Sequence, residues 1–215
     1  KKIELEKRSI MMVRKEIIEK LEALKEDFKV LSCKEVPLKD SPFLTTKRYQ
    51  YCLNNGTIVY KEKLCKNVGD GSGSAVSILP ITKEGRVVVI VEPRIGSENG
   101  VTLGLPAGYL DLNESPLDAA ARELKEETGY VAASFIPLRN GHRYYQDQGC
   151  SKAFNSHFLA LDCEKVQEQA LDADEQIKFM EVEFDDVLEL ADNGYINDAN
   201  SLLTICYGEK VLRMK

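Results

Sequence analysis

Four glutamates crowd the stretch "GYLDLNESPLDAAARELKEETGY", residues 108 to 130: Glu114, Glu123, Glu126 and Glu127. On a helix Glu123 and Glu127 lie one turn apart, about 40° from each other around the axis. Like charges at that spacing repel by a few tenths of a kcal/mol in water, and by more beside a core, where burial disfavours the ionised form. A hard divalent cation removes the conflict. Mg²⁺ takes oxygen ligands, commonly one or two carboxylates together with substrate phosphates. Glu126 falls farther round, four residues from Arg122, where the two can pair. A solvated acidic face is the alternative reading, and the acid cluster alone does not exclude it.

The helix that must carry these groups is well delimited. Ser115 suits the N-cap and Pro116 the first helical position. Asp118 sits near the positive end of the dipole. Gly129 can end the helix in the left-handed conformation. The expected span is 116–128. Leu117, Ala120, Ala121, Leu124 and Thr128 share a face that is expected to pack inward, with Glu123 and Glu127 at its border.

Around this helix the chain divides into two regions. Residues 1–68 read as an N-terminal region of one helix and a few strands. Ile10, Val13, Ile17, Leu21 and Leu24 recur at three- and four-residue spacing, which predicts an amphipathic helix. "FKVLSCKEV", "KRYQYCLNN" and "GTIVYKEKL" predict strands, with Asn54, Asn55 and Gly56 at a hairpin turn. The glycine-rich "GDGSGS" (69–74) lacks the Lys-Ser/Thr of a P-loop and reads as a linker. Residues 69–215 alternate strands and helices. "AVSILPIT", "RVVVIVEPR", "VTLGLPAG", "ASFIPL", "HRYYQ", "FNSHFLALDC" and "QIKFMEVEF" predict strands, and "DDVLELADNG" and "NDANSLLTICYG" closing helices. The class is mixed α/β.

The 215 residues carry a net charge of −6. That argues against a nucleic-acid grip through a basic surface, and it means something positive must bridge to an anionic substrate. No run approaches ~20 consecutive apolar residues, so no membrane-spanning helix is expected. The charged start shows no apolar leader core, and the expected compartment is the cytoplasm. Six cysteines without a C-x-x-C pattern read as reduced, buried thiols. His142 and His157 read as structural, and Tyr144 and Tyr145 as strand packing rather than base stacking. Tyr49 and Phe43 are weaker stacking candidates.

The spacing of residues 108–130 fits G-x5-E-x7-R-E-U-x-E-E-x-G-U, where U is a bulky apolar or aromatic residue. The fixed positions are Gly108, Glu114, Arg122, Glu123, Glu126, Glu127 and Gly129, and Leu124 and Tyr130 fill the U positions. At average residue usage, a chance match is on the order of one in a million. The stretch resembles the signature of the Nudix hydrolases, enzymes that cut a pyrophosphate linked to another group. The resemblance implies an α/β/α sandwich with a mixed sheet and Mg²⁺ or Mn²⁺ as cofactor. It implies Glu123 and Glu127 as metal ligands, Glu126 as a further or water-mediated ligand, and Arg122 as the residue that holds the glutamates. Glu114 would bind metal or support the helix, and Gly108 would permit a tight turn.

The flanks are similar to the ADP-ribose pyrophosphatase branch. "LPAG" implies the carbonyl of Ala107 as a metal ligand. Arg94, ending "VIVEPR", implies a substrate contact, and "GYINDANSLLTI" resembles the branch's final helix. "LDADEQIKF" offers Glu175 as general base or extra ligand, and Asp174 beside the substrate. Members are commonly homodimers whose N-terminal region helps build the partner's site. Two positions depart from the branch: Gln148 stands in place of a proline and Ala153 in place of a glutamate. The expected function is hydrolysis of a nucleoside diphosphate linked to a sugar, ADP-ribose first, with no nucleic acid or membrane partner. FAD, CoA or NADH as substrate, hydrolysis of RNA caps or oxidised nucleotides, and a non-catalytic nucleotide sensor on the same fold stay open as alternatives.

Overall fold

The computed structural model describes residues 14–32, 43–69, 71–173 and 175–214. In chain order its elements are α1 (Lys15–Glu26), β1 (Leu44–Cys52), β2 (Ile58–Lys66), β3 (Ala75–Thr82), β4 (Arg86–Pro93), β5 (Val101–Gly104), β6 (Ala107–Tyr109) and α2 (Pro116–Thr128). There follow β7 (Tyr130–Val131), β8 (Ser134–Pro137), a short 3₁₀ turn at Leu138–Gly141, β9 (Tyr144–Tyr145), β10 (Phe154–Lys165), β11 (Lys178–Glu183), α3 (Phe184–Asp192) and α4 (Ala199–Arg213).

The near-continuous apolar runs of β3 and β4 reflect burial on both faces. Leu79, Val87, Val89 and Val91 face a core shared with Ile17 and Leu21 of α1, Val187 and Leu190 of α3, and Ile205 of α4. Val76, Ile78 and Val88 face the other way, onto Ala119, Ala120 and Leu124 of α2. Helices therefore cover both sides of one mixed sheet of order β11-β4-β3-β10-β7. β3 and β10 run parallel, while β11 and β5 pair antiparallel with β4 and β6 pairs antiparallel with β3. This is the expected α/β/α sandwich.

The N-terminal elements behave differently from one another. α1 is built into the core: Ile17 and Leu21 are buried, and Arg14 Nε donates to Asp186 Oδ1 of α3 at 2.9 Å. Ile10 and Val13 lie outside the described residues. β1 and β2 form a separate two-stranded hairpin, closed where Gly56 turns with φ 81° and donates to Leu53 O. Most of this hairpin is exposed on both faces. It is tethered near its end by Leu64 N donating to Cys150 O at 2.7 Å.

The strand expected over "FKVLSCKEV" does not form across 28–32, and the rest of it lies outside the described residues. Phe28 instead closes the last turn of α1 through its N–H to Lys25 O. Its ring packs against the core with the Lys178 ammonium 5.6 Å from its centroid. Among the described residues no strand pairs with it.

Candidate active site

α2 ends where the sequence predicts. Ser115 accepts from Asp118 N at 3.1 Å, Pro116 occupies the first position, and Gly129 takes φ 78° at the C-cap. The buried stripe, however, is turned from the expected one. It comprises Ala119, Ala120, Glu123, Leu124, Glu127 and Thr128, while Leu117 and Ala121 are exposed. The two small alanines let α2 press onto the sheet and carry the glutamates under with them. Glu123 is 7% exposed and Glu127 1%. They lie inside the buried face rather than at its border.

β6 passes directly over these carboxylates. Ala107 N donates to Glu127 Oε2 at 3.0 Å. A side chain on Gly108 would collide with the Glu123 carboxyl group. Gly108 has no left-handed backbone. Its value is therefore the space it leaves for Glu123, and not the tight turn expected from the sequence.

Arg122 organises the remaining acids and uses every guanidinium N–H. Nε and Nη2 grip Glu114 bidentately at 2.8 and 2.9 Å. Nη1 donates to Glu123 at 2.8 Å and Glu126 at 3.0 Å. Nη2 also reaches Tyr109 O at 3.0 Å. The Arg122 bonds hold the Glu114 carboxyl below its ordinary pKa, with help from the Asp111 N–H. Burial pushes Glu123 up to about 7 despite Arg122. Burial, then the Glu123 charge, pushes Glu127 well above the carboxylate range.

Two buried carboxylates that repel each other, with one arginine to share among four acids, are a donor set that a divalent cation would complete. Among the described residues no three His, Cys, Asp or Glu side chains form a ready-made cage. Arg122 takes both oxygens of Glu114 but one of Glu123, and of the four glutamates only Glu123 and Glu127 are buried, so the protein offers that pair with the β6 backbone beside it. That suits Mg²⁺, which keeps few protein ligands and fills the rest with water and phosphate.

A pocket of about 360 Å³ opens beside this pair, lined by Glu92, Arg94, Ala107, Gly108, Tyr109 and Asp198 among others. Arg94 lies in it, held by Glu92 at 2.8 Å. Burial raises the pKa of Glu92 despite Arg94. The late loop reaches the same end of the molecule. Gln169 Nε2 donates to Glu127 O at 2.5 Å and to Ile177 O at 3.1 Å, and Ala170 N donates to Glu126 O at 2.8 Å. These bonds bring Glu175 within electrostatic range of Glu92, Glu123 and Glu127. Its carboxylate accepts from Asp172 N at 3.1 Å. Asp174 lies outside the described residues.

His157 is buried, with Nδ1 2.7 Å from Thr204 Oγ1, and Tyr144 packs on its ring at 5.9 Å. His142 is exposed. Sequence reasoning missed Glu92, Lys66 and Gln146 as pocket residues. Glu92 adjoined a residue already singled out, and an acid ending an apolar strand beside Arg94 was a usable signal. Lys66 and Gln146 gave none, because only the tertiary fold brings β2 and β9 to the site.

The comparisons with known proteins agree with this geometry. The NUDIX domain model matches residues 71–203. The ADP-ribose pyrophosphatase of Bacillus subtilis (strain 168) is 32% identical over 148 residues, covering 68% of this chain and 75% of that protein. The GDP-mannose pyrophosphatase of Yersinia enterocolitica is 29% identical over 164 residues, covering 73% and 82%. A crystal structure of an ADP compounds hydrolase superposes with a TM-score of 0.66 at 22% identity, over 82% of this chain and 90% of that one. The chain belongs to the Nudix family. Nudix hydrolases generally use divalent metal ions, in keeping with the carboxylate pair on α2.

Proposed function

We propose that this chain hydrolyses the pyrophosphate bond of a nucleoside diphosphate sugar, ADP-ribose first, with Mg²⁺ as cofactor. The observation that carries the reading is the buried Glu123–Glu127 pair beneath β6, whose residues Ala107, Gly108 and Tyr109 line the pocket that holds Arg94. The ADP-ribose and GDP-mannose pyrophosphatases among the relatives support the substrate class.

Glu123, Glu127 and the Ala107 backbone would hold the metal, with Glu126 and Glu114 behind them. A divalent ion bound there would neutralise the diphosphate and stabilise the charge that develops in the transition state. Arg122 keeps Glu114, Glu123 and Glu126 in register through its guanidinium N–H donors. Arg94, fixed by Glu92, grips the substrate, assisted by Asp174. Glu175 takes the proton from the attacking water. The water oxygen ends on one phosphate and the bridging oxygen leaves with the other, giving AMP and ribose 5-phosphate.

Residues 1–68 serve as a dimerisation and substrate-site element through the hairpin, with α1 packed into the core of the hydrolase domain 69–215, in the cytoplasm. The exposed hairpin supports a homodimer. Two strands alone are marginal in water, and Leu44, Tyr49, Tyr51, Ile58 and Tyr60 are each at least 39% exposed. A monomeric mass by light scattering would contradict that.

The test of the activity is phosphate release, coupled through alkaline phosphatase, from ADP-ribose, GDP-mannose, UDP-glucose, NADH, FAD and CoA with Mg²⁺. ADP-ribose or another nucleotide sugar is expected to be fastest. Silence across the panel, with tight nucleotide binding, would replace hydrolysis with sensing.

A further inference from the structure

Lys66 ends β2, the second strand of the N-terminal hairpin, and lines the pocket that holds Arg94 and Tyr109. Three neighbours set its course. Its stem lies against Gly73, where an added Cβ would come within 2.7 Å of Lys66 Cδ and 2.8 Å of Cβ. Its ammonium sits 5.5 Å from the Tyr109 ring centroid, within cation–π range. It donates to Gln146 Oε1 at 3.0 Å. Gln146 is fixed in turn, its amide donating to Gly73 O at 3.2 Å and Asn155 Oδ1 at 2.7 Å. Asn155 then donates to Asn200 Oδ1.

The charge balance gives this arrangement a purpose. The other basic group of the pocket, Arg94, is held by Glu92. Among the described residues no carboxylate pairs with Lys66, whose polar partners are an amide oxygen and an aromatic face. An ammonium has three donors, and Gln146 takes one. A pre-aimed cation with donors to spare, in a pocket where Glu92 already holds the other basic group, fits an anionic oxygen of the ligand. Gly73, within the stretch read from the sequence as a linker, leaves the space that the Lys66 stem occupies.

We propose that Lys66 contacts the diphosphate oxygens of the substrate, so that the N-terminal hairpin contributes a binding side chain to the site of its own chain. Gln146 acts as the positioning residue. The proposal rests on the nucleoside diphosphate reading above.

The test uses the full chain with Lys66→Met and Lys66→Arg, assayed on ADP-ribose with Mg²⁺. Loss of one charge-assisted hydrogen bond is expected to raise KM about 10- to 100-fold in Lys66→Met, with kcat within a few-fold and Tm unchanged within about 2 °C. Lys66→Arg, which keeps the charge, should recover most of the affinity. An unchanged KM in Lys66→Met would overturn the proposal. So would a loss shared equally by both variants and accompanied by a fall in Tm, which would mark a structural role. If the wild type turns over no nucleotide, hydrolysis fails on its own, and calorimetric binding of ADP-ribose decides the present point. Weaker binding by Lys66→Met supports it, and equal binding sinks it.

Discussion

Replacing Gly108 by alanine should disable the site without unfolding the protein. The new methyl carbon would meet the Glu123 carboxyl group at less than 3.0 Å, a separation real Cβ atoms essentially never show. Either β6 or the carboxylate must move. β6 is held by its pairing of Ala75, Val76 and Ser77 with Tyr109, Gly108 and Ala107, whereas Glu123 is the end of a flexible side chain. The carboxylate should therefore retreat by on the order of 1 Å, and a misplacement of that size near reacting groups can cost about 100-fold. That corresponds to about 2.7 kcal/mol of lost transition-state stabilisation. Gly108 needs no left-handed backbone, so alanine adds no conformational strain, and Tm should move by a few degrees at most. Steady-state kinetics on ADP-ribose and a thermal melt of the same preparation give both numbers. A folded Gly108→Ala protein with wild-type kcat/KM would show that the Glu123 position does not matter, and would refute the reasoning.

Other expectations follow from burial. Glu123 titrates near 7 in the folded chain against about 4.5 unfolded, so its contribution is intact below pH 4.5 and lost as pH rises through 7. In metal-free protein Glu123→Gln should therefore gain on wild type between pH 5 and 8, by about 3 kcal/mol at most, as measured by urea melts at each pH; equal curves would contradict this. His157 is held down to about 4 by burial and the Arg139 charge, so its NMR titration should show no transition near 6.5. Leu21→Ala should cost about 2–5 kcal/mol, because α1 is part of the core rather than an appendage; a loss below 1 kcal/mol would contradict that packing. Tyr130→Phe removes the 2.6 Å bond from its hydroxyl to Glu181 and should cost about 1–2 kcal/mol, with kcat/KM unchanged.

Local signals carried the helix and its family. Ser115, Pro116 and Gly129 fix the ends of α2 by short-range chemistry, so its span reads directly from the residues. The same is true of the turn at Gly56 and of the doubly buried β3 and β4. The rotation of α2 did not read correctly, because it depends on what lies beneath. Leu117 is more hydrophobic than Ala119, yet only alanine is small enough to let the helix settle on the sheet. The Tyr130 hydroxyl finds its acceptor in Glu181, 51 residues later, which no local pattern could show. Lys66 and Gln146 are legible in neither composition nor period, since they meet through a contact spanning 80 positions. The strand expected from Phe28 does not form over 28–32, because alternation promises a strand only where a partner edge exists and none lies beside it among the described residues.

The measurement that bears most directly on the central claim is turnover of ADP-ribose by wild type and Glu127→Gln, each with Mg²⁺ and with EDTA. Glu127 is the most buried of the cluster and lies against Ala107. Mg²⁺-dependent hydrolysis by the wild type is expected, with a loss of at least about 1,000-fold in a folded Glu127→Gln protein. Wild-type-like turnover by that variant, or hydrolysis that persists undiminished in EDTA, would contradict the assignment of the carboxylate pair as the catalytic centre.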